Sequence, residues 1–210
     1  MNALRACGVA GGIFARLLAK GPAGYLPACL RALLHRHPLT VTFILGLLLA
    51  ALGTYSHGQT YGTGYRTVAD ALHNIPPDPA TIGVAKLGAT IITYWTGIAG
   101  GIFTPALSTG AGIGSGLWLL SGGTVEQGLL ALLCTAAFLA AATQSPVTAS
   151  VVVMEMTGSQ PLLIWLLMAS LIASWLSRQI QPRPFYHYSA ARWRQRMLDE
   201  AELARAAKNT

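Results

Sequence analysis

Between Lys86 and Arg178 lie 91 consecutive residues whose only formal charges are Glu126 and Glu155. A water-soluble fold has to cover its outside with polar groups, and this stretch has too few. Across all 210 residues the charged types amount to 10%, against roughly 25% in ordinary soluble domains. A bilayer accepts such a segment, because lipid replaces water around it and helices satisfy their own backbone hydrogen bonds. The sequence therefore predicts an integral membrane protein of the all-α class.

The net charge of +7 is unevenly placed. Seven of the 14 Lys and Arg residues fall from Arg178 to Lys208, and five lie between Arg5 and Arg36. Basic residues gathered just outside apolar spans follow the positive-inside rule, which predicts a cytoplasmic C-terminus in an inner or plasma membrane. No nucleic-acid-binding motif accompanies the charge, so a nucleic-acid partner is not expected. Cys7, Cys29 and Cys134 are scattered and odd in number, which argues against a disulfide framework or a zinc site. His35 and His37 flank Arg36 in a basic loop with too few further ligands for a metal. Val9 to Leu18 is only modestly apolar and Arg16 interrupts it, so no leader peptide is expected. Neither G-x-S-x-G nor H-E-x-x-H occurs, and no enzyme chemistry or cofactor is expected.

The apolar runs have unequal lengths. Leu39 to Tyr55, opened by Pro38, holds 17 residues and is about long enough to cross the hydrocarbon. Ile82 to Thr96, Ile102 to Leu120, Leu129 to Ala142, Val147 to Met156 and Leu162 to Leu176 follow, with an earlier helix near Ala6 to Leu18. Lys86 is expected to snorkel from the second of these runs toward the interface. Val147 to Met156 would be only about 15 Å long as a helix. Short apolar helices interrupted by Gly and Pro are the pattern of partly penetrating helices that meet at a site inside the membrane. Gln59 to Pro79 reads as loop, with a short helix from Thr67 to His73. Residues 1–189 are taken as the membrane domain. Residues 190–210 are read as a polar helical tail able to lie on anionic headgroups.

One segment carries chemistry. In Thr96-Gly97-Ile98-Ala99-Gly100-Gly101-Ile102-Phe103-Thr104-Pro105, glycines lead directly into an apolar helix. Glycine lets the backbone approach a ligand closely, and the first N–H groups of a helix have no partner within it. Together with the helix dipole they can hold an anion without a charged side chain. Residue types alone leave open the other reading, a glycine kink in a spanning helix. Gly110, Gly112, Gly114 and Gly116 miss the dinucleotide fingerprint and form two small-x-x-x-small pairs instead, which predicts close helix packing.

Gly100-Gly101-Ile102-Phe103-Thr104-Pro105 resembles the G-G-x-F-x-P signature of CLC chloride channels and chloride/proton exchangers. Three further segments follow in that family's order. Ala136 to Thr148 is similar to its small-residue helix ending before a Pro. Val151 to Gly158 is similar to its E-M-T segment. Arg183-Pro184-Phe185-Tyr186 resembles the corner that opens its last membrane helix. The resemblance covers roughly Ala6 to Trp193 and the second half of the family's transport domain.

That resemblance implies chloride passage, passive or exchanged for protons. It implies an anion held by the N–H groups of Ile102 and Phe103 and the hydroxyl of Tyr186, with Gly100, Gly101 and Pro105 shaping the backbone. Read without the family, Tyr186 is better taken as an interfacial aromatic anchor than as a ligand, and Tyr188 fits the pattern less well. The resemblance also implies a homodimer in the bilayer through residues 147–157 and 162–177. The family's serine-bearing G-S-G-x-P loop and its G-x-E-G-P gate are missing, and Ala99 stands where Pro is common. Glu155 is read as a structural or solvated acid and Glu126 as a first-turn residue. Two other readings remain: a broken-helix transporter for a different anion, and an inactive truncated product.

Overall fold

The computed structural model describes residues 2–21, 36–73, 75, 82–96, 100–122, 125–158 and 160–208. Among the described residues the secondary structure is helical. The helices are α1 (Asn2–Lys20), α2 (Pro38–Tyr55), α3 (Tyr65–Leu72), α4 (Ile82–Trp95) and α5 (Phe103–Leu120). They continue as α6 (Gln127–Thr143), α7 (Pro146–Thr157), α8 (Leu163–Ile180) and α9 (Phe185–Lys208). A 3₁₀ turn, Gln160–Leu162, leads into α8. The sequence readings of Gly97, Ala99, Cys29 and His35, and of Pro76 to Pro79, fall outside the described residues.

Helix α6 is the centre of the molecule. Fourteen of its 17 residues are buried, enclosed by α1, α5, α7 and α8. Its face is built from alanine, so neighbouring backbones come close. In lipid, such packing stabilises through van der Waals contact rather than through expulsion of water. The Gly110/Gly114 pair of α5 does what small-x-x-x-small spacing predicts, and Gly112 does so on a second face. A Cβ on Gly110 would lie 2.7 Å from the Thr135 Cα, and one on Gly114 would lie 2.7 Å from the Ala131 Cα, both on α6. On the opposite face a Cβ on Gly112 would lie 2.8 Å from the Gly83 Cα of α4. Gly116 borders a shallow apolar hollow beside Gly83 and Val84. Phe14 of α1 and Phe138 of α6 meet with ring centroids 5.4 Å apart, a contact worth on the order of 1 kcal/mol beyond the area it buries.

Helix α2 is the contrast. Its principal neighbour is α4, and Leu39, Phe43, Leu47 and Leu48 are all exposed, Leu39 by 85%. A row of uncovered large apolar side chains of this size fits a lipid-facing helix. The outer faces of α7 and α8 are similar, exposing Val147, Val151, Ile164, Trp165, Met168 and Trp175. The segment Gln160–Ile180, 21 residues, is long and apolar enough to cross a bilayer. Leu39–Tyr55, Ile82–Trp95, Gln127–Thr143 and Pro146–Thr157 are shorter apolar helices.

One local expectation changes. The short helix in the loop region begins at Tyr65 rather than Thr67, because Gly64 takes the left-handed conformation, φ +80°, and serves as its N-cap. Helix α9 starts at Phe185 and runs unbroken to Lys208.

Candidate functional site

Helix α4 ends at Trp95 and α5 begins at Phe103, with Ile102 as its N-cap at φ −92°, ψ −10°. The first bond of the new helix runs from the Ala106 N–H to the Ile102 carbonyl, 3.0 Å. Pro105 occupies the third helical position and has no N–H. The orphan donors at this end therefore reduce to Ile102, Phe103 and Thr104. No acceptor engages these three N–H groups among the described residues. The Ile102 side chain is buried in the main apolar cluster, and Phe103 packs against the same cluster. Both side chains point into protein, which fixes the backbone. Gly100 and Gly101 are exposed, and a Cβ on either would meet no atom within 4 Å. The absence of side chains at these two positions leaves open space in front of the helix start.

That space is a cavity of about 300 Å³. Gly100, Gly101, Ile102 and Pro105 line one end, Ala89, Thr90, Thr93 and Tyr94 of α4 a second wall, and Thr60, Tyr61 and Gly62 a third. The hydroxyls of Thr90 and Thr93 donate to the Lys86 and Ala89 carbonyls, each at 2.8 Å. Their protons are thus spent on the helix. Lys86 also lines the cavity, and it differs from expectation. It does not snorkel outward. It is 3% exposed, and its ammonium donates to the carbonyls of Thr60 and Gly62, each at 2.7 Å. The loop at 56–64 folds back over the end of α2, where Tyr61 lies against Gly53 and Ser56 pairs with Thr60 at 2.9 Å. This fold brings two carbonyls to the lysine, and sequence spacing gives no hint of it. The available signal was the lysine itself, since an ionisable residue in an apolar helix marks a functional position by default.

Tyr186 stands at the start of α9, two residues after Pro184, whose carbonyl accepts from the Tyr188 N–H at 3.0 Å. Its side chain is half exposed and is not part of the cavity lining. The connection is aromatic. Tyr186 packs edge-on to Phe185 with centroids 5.5 Å apart, and Phe185 packs edge-on to the cavity residue Tyr94 at 5.8 Å. Tyr188, half-buried, packs against the cluster that holds Ile102. The structure thus gathers Gly100, Gly101, Ile102 and Pro105 on one cavity, leaves Phe103 out of its lining and packed against the apolar cluster, and places Tyr186 two rings away. A second hollow of about 590 Å³ reaches Thr104 from the other side of α5, with Tyr65, His73 and Glu126 in its walls. Glu126 caps α6 in an extended conformation without a side-chain cap bond. Glu155 is exposed near the end of α7. Among the described residues no three His, Cys, Asp or Glu side chains cluster as metal ligands.

Residues 4–178 match the voltage gated chloride channel family. The chain belongs to the CLC family. The voltage-gated ClC-type chloride channel ClcB of Escherichia coli is 36% identical over 156 residues, which cover 70% of this chain and 37% of that protein. ClcB of Salmonella typhimurium is 35% identical over 156 residues, with the same shares. A protein of Haemophilus influenzae is 63% identical over 81 residues, 39% of this chain and 83% of its own length. The chain spans just over a third of the length of the ClcB relatives it matches. Membership in the CLC family makes the short, broken helices those of an all-α membrane protein, and it bears out the resemblance carried by Gly100 to Pro105.

Proposed function

We propose that this CLC chain forms one side of a chloride pathway. In this reading a dehydrated chloride rests against the N–H groups of Ile102 and Phe103, with the Tyr186 hydroxyl as a third donor. One observation carries it: a helix start whose amides meet no acceptor among the described residues, beside an open cavity lined by Gly100, Gly101 and Ile102. Uncharged donors suit a transported ion, since they replace part of its hydration without the grip of a full opposite charge. For the hydroxyl to reach the ion, Tyr186 must turn from its seat on Phe185. Its half-exposed side chain leaves room for that rotation. The ion passes either alone or in exchange for protons.

The exposed apolar faces of α7 and α8, residues 147–157 and 162–177, support a homodimer seated in lipid. A multi-pass inner or plasma membrane location, with α9 at the cytoplasmic surface, fits the seven basic residues from Arg178 to Lys208. Calorimetric titration of the chain in lipid nanodiscs tests the binding step. Saturable uptake of chloride and bromide, with none of gluconate, is expected. Equal heats for all three anions would remove the site. Chloride efflux from proteoliposomes, with and without a proton ionophore, then separates passive flow from exchange.

A further inference from the structure

Helix α9 is covered at its start and bare beyond it. It packs on α1 and α6, and Phe185 is buried with its ring against Tyr94. From residue 190 to residue 202 every side chain described is exposed, yet the helix runs on to Lys208. A helical stretch of this length is marginal in water by itself, and helices in proteins draw most of their stability from a packed face. The surface that supports this stretch is therefore not among the described residues.

The residues of the bare stretch indicate what that surface is. Between 178 and 196 there are five arginines and no acid, and Asp199, Glu200 and Glu202 follow at once. At about 100° per residue, Trp193 and Met197 fall on one line along the helix, and positions 194 and 196 flank that line on opposite sides. Trp193 is 67% exposed and Met197 50%. A large apolar pair bordered by arginine on both sides suits the boundary between acyl chains and headgroups. The ring and the thioether enter the apolar edge there, while guanidinium groups reach phosphate. The height agrees, since Trp193 lies about 12 Å along the helix from the buried Phe185. A nucleic acid would offer phosphate without an apolar layer beneath it.

We propose that residues 190–197 of α9 form a binding site for the headgroups of anionic phospholipids, and that Asp199, Glu200 and Glu202 end it. The proposed contact rests on the placement of α9 at the membrane surface, and the chloride site plays no part in it. It adds to that placement a preference for anionic over neutral lipid. Like charges repel the acidic turn from such a surface, so the helix is held by its basic half and its far end stays in water.

Fluorine-19 spectra of the full chain, labelled with fluorotryptophan and placed in nanodiscs, test this, with Trp193→Phe assigning the resonance. A neutral, water-soluble gadolinium chelate probes exposure. The Trp193 signal should be shielded from the chelate in phosphatidylcholine mixed with phosphatidylglycerol and open to it in phosphatidylcholine alone. High salt should open it in the mixed discs. Arg194→Gln and Arg196→Gln should each lower the ratio of docked to free helix about fivefold, whereas the lysine variants should hold it within about twofold. Amide hydrogen exchange should slow over 190–197 in the mixed discs and stay unchanged over 199–208. Trp165 and Trp175, exposed on the outer face of α8, report the bilayer itself and should be shielded in both lipids. Their exposure to the chelate would overturn the membrane placement. With those two shielded, a Trp193 equally open in both lipids overturns the headgroup contact alone. Equal shielding of Trp193 in both lipids assigns it to protein or to neutral lipid and overturns the contact as well. Slowed exchange extending through 199–208 overturns the boundary at the acidic turn.

Discussion

Two breaks between apolar helices interrupt this protein, and they are built to opposite ends. The break from α4 to α5, residues 96–102, is open. A Cβ on Gly100 or Gly101 would meet no atom within 4 Å, the amides of Ile102 to Thr104 are unengaged among the described residues, and a cavity lies beside them. The break from α6 to α7, residues 144–145, is sealed. Gln144 takes a left-handed conformation, φ 57°, is 7% exposed, and its N–H closes on the Ala140 carbonyl at 2.8 Å. Its side-chain amide donates to the Gln181 carbonyl at 2.5 Å, across to the break between α8 and α9. Beside it the Ser177 hydroxyl donates to the Ala141 carbonyl at 2.6 Å. Both breaks resume with a proline in the first turn, Pro105 or Pro146. Proline therefore does not separate a site from a corner. Spending the polar groups does: irregular backbone inside a membrane must be satisfied by protein or by what a cavity holds.

The largest expected effect falls on the sealed break. Gln144→Ala leaves the Gln181 carbonyl buried without its donor and keeps a left-handed residue that has lost its compensation. Thermal unfolding in detergent should show destabilisation of about 3 kcal/mol, with chloride affinity unchanged in the folded fraction. At the open break the pattern inverts. Gly101→Ala adds a methyl that meets no atom, so stability should move by less than about 0.5 kcal/mol. The methyl stands in the anion's space, however, and calorimetry should show chloride binding about tenfold weaker. A Gly101→Ala protein that binds chloride as the parent does would make the open break a corner as well. Ser177→Ala removes one buried bond at the sealed end and should cost about 1 kcal/mol in the same unfolding assay. Tyr186→Phe should be smallest, weakening chloride about threefold with no change in unfolding temperature, since the hydroxyl is half exposed. Unchanged binding there would exclude Tyr186 as a ligand.

Much of this architecture was legible in the order of residues because helices in lipid announce themselves locally. Leu39 to Tyr55 became Pro38–Tyr55, and Val147 to Met156 became Pro146–Thr157, since Pro marks each start and the apolar run sets each length. The open break was legible too, in Gly100-Gly101 before Ile102. What stayed hidden depends on residues far apart in sequence. Gln144 and Gln181 are 37 positions apart, and no motif links the two. Lys86 reaches carbonyls 24 and 26 positions away, so the expectation of an outward-snorkelling lysine followed its own helix correctly and missed the loop that folds over it. Tyr186 was legible as the first tyrosine of the last helix. Its distance from the cavity through Phe185 and Tyr94 was not, because ring stacking between α4 and α9 has no signature in either segment.

Amide nitrogen-15 shifts of the chain in nanodiscs, followed while gluconate is exchanged for chloride, address the open helix start most directly. Saturable shifts are expected at Ile102 and Phe103, with one common half-point, and none at Gln144, whose N–H is already engaged by Ala140. If residues 102 and 103 stay still while chloride binds elsewhere, the helix start holds no halide. Their amides would then be as closed as those of the sealed corner.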